Sequence, residues 1–199
     1  MAISPRILKQ LGHPSGITGR LVLRLLNRVN RGMNDVALKA LDLGENDHVL
    51  EVGFGGGALI ARVLEHDKTP RVTGAEISEL AINLARKRYR NYARANFALT
   101  DGKTLPFESA TFTRVACVNV IYFWPDVPEM LTEILRILAD KGKLVLCYSE
   151  QSPDNVTSFF HDDVEAQLRT AGFATTHTTE HFDKDNDRHF CTVATKAAP

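Results

Sequence analysis

Cysteine is scarce in this chain. Three occur in 199 residues, an odd number without the spacing of a disulfide framework. Cys117, Cys147 and Cys191 each lie among apolar or β-branched neighbours and read as buried thiols that act as small hydrophobes. Net charge is missing too. Lys and Arg number 24, as do Asp and Glu, so no overall field draws the chain to nucleic acid or to a membrane. No apolar run is long enough to cross a bilayer. The opening residues, MAISPRILKQLGHPSG, lack the apolar centre of a secretory signal. A reducing, cytoplasmic setting is expected by default. Repeats, linkers and low-complexity tracts are absent, and the rest is an ordinary globular composition.

What is present is an alternation. Short apolar runs at 48–52, 71–76, 95–99, 112–118 and 143–148 read as buried strands. Helical patterns at 58–66, 78–90, 127–139 and 162–171 follow most of them. Such alternation predicts an α/β fold, a mostly parallel sheet with helices on both faces. The link TDGKTLPFESA between the third and fourth strands has little helical character. Residues 174–182 and 188–196 are β-rich and joined by DKDND, the grammar of an antiparallel hairpin closing one edge. Residues 17–41 are helical with a break expected at Gly32. The chain therefore divides into an N-terminal helical segment, 1–44, and a domain over 45–199.

The stretch VLEVGFGGGAL, 49–59, follows a strand and opens a helix, the context of a nucleoside-binding turn. Its glycines let the backbone take φ > 0 and approach a ligand closely, and the helix start offers free N–H groups. The turn alone does not name the ligand, because GFGGGA also fits the nicotinamide fingerprint G-x-G-x-x-A. Glu76, at the end of the second strand, suits the ribose hydroxyls of either ligand. Two features separate them. Glu51 would repel the phosphates of a dinucleotide and suits a cationic ligand. In TDGKTLPF, Asp101 can accept from an exocyclic amine and Gly102 can meet an adenine edge. A Tyr-x-x-x-Lys pair, which a nicotinamide-dependent reductase would carry, is absent.

With VLEVGFGGG, TGAEIS, TDGKTLPF and LADKGKLVLCYS in order, the chain resembles the class I S-adenosylmethionine-dependent methyltransferases of the small single-domain kind, over roughly residues 45–196. The resemblance implies a Rossmann-like, three-layer, seven-stranded sheet with an antiparallel last strand. It implies S-adenosylmethionine as methyl donor, S-adenosylhomocysteine as product, and in-line displacement onto a small-molecule acceptor. Glu51 and the turn Gly53, Phe54, Gly55 and Gly57 would hold the methionine part. Glu76 would bind the ribose with Ile77 against adenine, Asp101 and Gly102 would meet the adenine edge, and Asn119 would face the amino-acid end. A non-catalytic S-adenosylmethionine-binding regulatory protein is the alternative within the same fold.

The acceptor side is less readable. NVIYFWPD, 119–126, lies at the end of the fourth strand. Tyr122 is a candidate to line the acceptor pocket, against the reading of Tyr122, Phe123 and Trp124 as packing. Asn119 and Tyr122 have the spacing of the Asn-Pro-Pro-Tyr motif of nucleic-acid amino-methyltransferases, but both prolines are missing, and no nucleic-acid partner is expected. His13 in the N-terminal lid segment and His161 after the fifth strand are further acceptor-side candidates. HDD at 161–163 reads as a helix start rather than a metal set, and no metal is expected. Arg20, Arg24, Arg28 and Arg31 form a solvated helix face opposite Leu21, Val22, Leu25, Leu26 and Val29, so membrane contact is not expected either. Only a short loop separates the fifth strand from the next helix, with no inserted substrate cap.

Overall fold

Each apolar run named above becomes a strand. A computed structural model describes residues 10–150, 160–182 and 187–197. β1 (His48–Val52), β2 (Arg71–Glu76), β3 (Ala95–Leu99) and β4 (Phe112–Val118) match the apolar runs at both ends. They are followed by β5 (Leu138–Ser149), β6 (Thr175–Phe182) and β7 (Arg188–Thr195). The order in the sheet is β3-β2-β1-β4-β5-β7-β6. Only β7 runs against its neighbours, antiparallel to both β5 and β6. This is the Rossmann-like α/β sheet with an antiparallel last strand. The loop after β5 and its lack of a cap fall on residues 151–159, outside those described.

Around the sheet lie the helices α1 (Gly16–Val29), α2 (Arg31–Leu41), α3 (Ala58–Glu65), α4 (Glu79–Arg88), α5 (Val127–Ile137) and α6 (His161–Ala171). Ser78 caps α4 by accepting from the Ala81 amide, and Asp126 caps α5 by accepting from the Glu129 amide. One core joins β1, β4 and β5 to α2, α3 and α4 through residues such as Leu41, Val49, Ile60 and Val145. The other joins the opposite face to α5 and α6 through Leu50, Val115, Leu131, Ile134 and Leu168. Burying each such side chain contributes roughly 1.5–3 kcal/mol before entropy. β1 and β4 are neighbours, yet α3 leaves β1 toward one face and α5 follows β4 on the other. That divergence leaves a crevice at their carboxyl ends. The three cysteines are buried and free.

Four details correct the sequence reading. The N-terminal helix breaks at Asn30, not Gly32. Asn30 ends α1 and precedes α2 at φ −79° and ψ 7°, and its side chain is engaged elsewhere, whereas a Cβ on Gly32 would meet nothing. β5 begins at Leu138, five residues early, and α5 ends correspondingly at Ile137. Leu138 pairs with Phe112, and a register irregularity follows between Phe112 and Arg114. ADKG is no apolar run, and it carries Lys141 in the left-handed region and a glycine packed on Leu138. Leu21, Leu25 and Val29, expected on a packed face, are exposed, and α1 buries Gly19, Val22 and Leu23 instead. Asp162 and Asp163 sit in the first turn of α6, where they favour the dipole, but neither caps it.

Candidate active site

The crevice holds a cavity of about 420 Å³. Its base is the glycine turn. Gly53 stands at φ +70°, and a Cβ there would collide with the Val120 side chain, so β1 can exit only through glycine. Gly55 lies at φ +50°, and a Cβ there would stand 3.8 Å from Leu23 Cδ2. Phe54 tucks its ring edge-on against Phe97, 5.5 Å between centroids, and lines the cavity. Gly57 lies behind the lining. It precedes α3 at φ +71° and accepts from the Tyr89 hydroxyl at 3.2 Å.

Glu51 ends up buried beside this turn, 4% exposed. Its Oε2 finds no hydrogen-bond partner. Burial pushes its pKa up to about 8; the backbone at Ile60 opposes the rise, the charge of Glu76 adds to it, and Arg62 opposes it. Glu51 therefore favours its protonated form at neutral pH. Trp124 Nε1 is the other buried side-chain polar atom without a partner among the described residues. Both residues line the cavity. One is an acceptor and the other a donor, and an unpaired buried polar group costs about 1–3 kcal/mol.

Glu76 is held more tightly. Its Oε2 accepts from the Gly55 amide at 2.9 Å, and its Oε1 accepts from the amides of Ile77 (2.8 Å) and Ser78 (3.1 Å). Burial raises its pKa, while these amides and the charge of His13 oppose the rise. The carboxylate thus ties the end of β2 to the glycine turn. Across from it, Gly102 takes φ +78°, and a Cβ there would stand 3.3 Å from Ile77 Cγ2. Asp101 Oδ1 accepts from the amides of Lys103 and Thr104, both at 2.9 Å, which holds its pKa below the usual carboxylate range. These bonds fix the loop that presents the Gly102 backbone opposite Ile77.

At the other end, Asn119 leaves β4 at φ +53°, a conformation Asn tolerates better than most residues. Its Nδ2 donates to Asn30 Oδ1 at 2.9 Å. The Tyr122 hydroxyl lies 3.2 Å from Asn119 Oδ1 and 3.0 Å from the Ser149 carbonyl, and it accepts from the Ser149 amide. Burial raises its pKa to about 12, so Tyr122 is a neutral phenol. Ser149 Oγ is 3.0 Å from His189 Nδ1.

The N-terminal segment closes the remaining side. Leu11, Gly12 and Pro14 line the cavity. Ser78 Oγ donates to the Pro14 carbonyl at 2.6 Å, and Asn27 Nδ2 donates to the Gly56 carbonyl at 3.0 Å.

The structure thus gathers Glu51, Gly53, Phe54, Gly55, Glu76, Ile77, Asp101, Gly102, Asn119 and Tyr122 around one cavity. His13 is exposed and outside the lining, although its charge reaches Glu76. His161 does not line the cavity. It starts α6 with its ring 5.3 Å from that of Phe190 and its Nε2 3.2 Å from Asp162. Sequence reasoning missed Asn27, Asn30 and Ser149. Asn27 is the one amide within α1, and Asn30 directly follows that helix. Ser149 was marked only by its place at a strand end.

Residues 50–146 match the methyltransferase domain family. Over that span the chain is similar to the class I methyltransferases. Over 150 residues the chain is 27% identical to the uncharacterized methyltransferase YdaC of Bacillus subtilis, which covers 72% of this chain and 81% of that protein. Further curated methyltransferases that match are longer: the chain covers 54% and 50% of two of them. Among solved structures, the fold is shared with a putative methyltransferase in complex with the Haloferax volcanii Trm112 activator. There the TM-score is 0.79 at 19% identity, over 90% of this chain and 94% of that one. It is also shared with a Haemonchus contortus phosphoethanolamine N-methyltransferase in complex with phosphomonomethylethanolamine and S-adenosylhomocysteine. That TM-score is 0.69 at 16% identity, over 83% of this chain and 52% of that one.

Proposed function

We propose that the protein transfers a methyl group from S-adenosylmethionine to a small-molecule acceptor. The observation that carries this reading is the Glu51 carboxyl, buried without a partner at Oε2 in a glycine-walled cavity. Such a group suits a cationic ligand and would oppose a phosphate. Ile77 offers an apolar face to a flat base whose edge would meet the Asp101–Gly102 backbone, and Glu76 stands where ribose hydroxyls would donate to it. Support also comes from the Haemonchus neighbour, which holds S-adenosylhomocysteine.

Bound S-adenosylmethionine supplies an activated methyl carbon, so the chain's work is alignment and exclusion of water. Glu51 gives up its proton as it pairs with the ligand's positive charge. Asn119, fixed by Asn30, sets the wall at the end of β4. Trp124 Nε1 offers a donor to the acceptor, whereas the Tyr122 hydroxyl has its proton committed to the Ser149 carbonyl and Asn119 Oδ1 and, as a neutral phenol, is no base. Ser149 Oγ, 3.0 Å from His189 Nδ1, is positioned to relay a proton from the acceptor to that imidazole. Leu11, Gly12 and Pro14 close the cavity as a lid.

Calorimetry tests the assignment. S-adenosylmethionine and S-adenosylhomocysteine should bind, and NADH should not; the opposite pattern would overturn it. Donor turnover with any metabolite acceptor separates an enzyme from a regulatory binder of the same ligand.

A further inference from the structure

Helix α1 shows apolar side chains on two sides. Inward, Val22 and Leu23 are buried, and Asn27 fastens the helix to the glycine turn. Outward, Ile17, Leu21, Leu25 and Val29 recur every fourth residue and are 81, 59, 57 and 68% exposed. They are four of the eight large exposed hydrophobics among the described residues. Single exposed apolar groups are ordinary, but a continuous stripe three turns long marks a contact. Arg20, Arg24 and Arg28 run along one edge of it, each exposed. The helix contains no acidic residue, and no ion pair joins these arginines to another described residue. Arg20 and Arg24 also share a hollow of about 290 Å³ with Arg88 of α4, a seat for an anionic group. Leu25 and Val29 belong to the wall of the main cavity as well, so the stripe reaches the cavity's edge.

We propose that α1 is an interfacial helix. It seats the protein on an anionic phospholipid bilayer, with the aliphatic stripe at the acyl boundary and the arginines on headgroup phosphates. The cavity then opens at the membrane surface, and the methyl acceptor is an amphiphile drawn from it. The acceptor clause rests on the methyltransferase reading above; the seating does not. Charge complementarity favours a bilayer over the other occupants. A second copy would bring the same arginine rows together across a two-fold contact. A single-stranded nucleic acid would stack on aromatic rings, and this stripe is wholly aliphatic.

Vesicle flotation of the full chain decides the matter. Vesicles of phosphatidylcholine with phosphatidylglycerol should carry the protein, less so at high salt, and phosphatidylcholine alone should not. Ile17→Asp with Leu21→Asp should lower partitioning at least about tenfold. Neutralising Arg20, Arg24 and Arg28 together with Gln should lower it on the order of a hundredfold. Both variants should keep the parent's melting temperature and its affinity for S-adenosylhomocysteine. Equal flotation on both vesicle types, or on neither, overturns the proposal. So does a dimer that Leu21→Asp dissociates, or preferential binding of single-stranded RNA. A parent that floats but ignores S-adenosylhomocysteine would uphold the seating and remove the methyltransferase reading. With labelled donor and vesicles of total lipid extract, label should enter the lipid phase. Label confined to water-soluble acceptors overturns the amphiphile.

Discussion

Asn119 donates to Asn30 across 2.9 Å and 89 residues of sequence, joining the tip of β4 to the joint between α1 and α2. The bond makes the site wall and its helical cover one unit. Asn119 does this at φ +53°, so its backbone and its amide make separate demands. Asn119→Gly removes only the amide, whereas Asn119→Ala also strains the backbone, by roughly 1–2 kcal/mol. Thermal unfolding should rank the parent above Asn119→Gly, and Asn119→Gly above Asn119→Ala. A double-mutant cycle with Asn30→Ala should return a coupling of about 0.5–1.5 kcal/mol.

Glu51 should impose a pH dependence on stability. Its folded pKa is raised to about 8 from an ordinary value of 4.5. Between these values the folded protein holds a proton that the unfolded chain has released, so stability falls as pH rises from about 4.5 to about 8. The loss is on the order of 4–5 kcal/mol. Glu51→Gln should flatten this slope, measured by denaturant unfolding at intervals from pH 5 to pH 8.5. If a cationic ligand pairs with Glu51, its binding near pH 7 should release a proton. Calorimetry in buffers of differing ionisation enthalpy would detect it in the parent and not in Glu51→Gln.

Glu76→Ala should weaken S-adenosylhomocysteine binding at least about tenfold, since hydrogen bonds to a charged group contribute roughly 1.5–3 kcal/mol each. It also strips the acceptor from the amides of Gly55, Ile77 and Ser78, so the melting temperature should fall as well. Glu76→Gln keeps the shape and one acceptor oxygen, and it should restore stability more than affinity. Parent-like binding in Glu76→Ala would exclude it as the ribose ligand.

Gly53→Ala adds a methyl group that runs into Val120 at a positive φ. Overpacking alone should destabilise by about 1–3 kcal/mol. Val120→Ala in the same chain should recover the steric part and leave the backbone part, which differential scanning calorimetry can resolve.

Deleting residues 1–16 should spare the sheet, whose strands all begin later, and should impair turnover more than stability. The deletion removes the wall formed by Leu11, Gly12 and Pro14 and the bond from Ser78 to Pro14. Proteolysis of the parent in this segment should slow when S-adenosylhomocysteine is bound. Equal cleavage with and without ligand would remove the lid from the mechanism.

The parallel strands were legible because buried strands are short continuous apolar runs, and β1 to β4 end where those runs end. The glycine turn, Glu51 and Glu76 were legible because backbone conformation and a buried charge restrict residue choice at single positions. The start of β5 was not, because its first residues carry a turn's composition inside a paired strand. Nor was the outer face of α1: Leu21 and Leu25 have the spacing of a packed face, and only the tertiary arrangement shows that Val22 and Leu23 take that place. His161 was misplaced because chain order gives only its side of the sheet, and the side chain packs against Phe190 of β7 rather than lining the cavity.

β7 lies between β5 and β6 although it is the last strand in sequence. A chain emerging from the ribosome reaches β6 with no neighbour for it to pair with, and β5 has an open edge on that side until the final strand appears. Closure of the sheet is therefore a late, long-range event. Cys147 and Cys191, cross-strand partners in β5 and β7, come together only at that step, so an exposed thiol at Cys147 would report a nascent chain whose last strand has not yet been inserted.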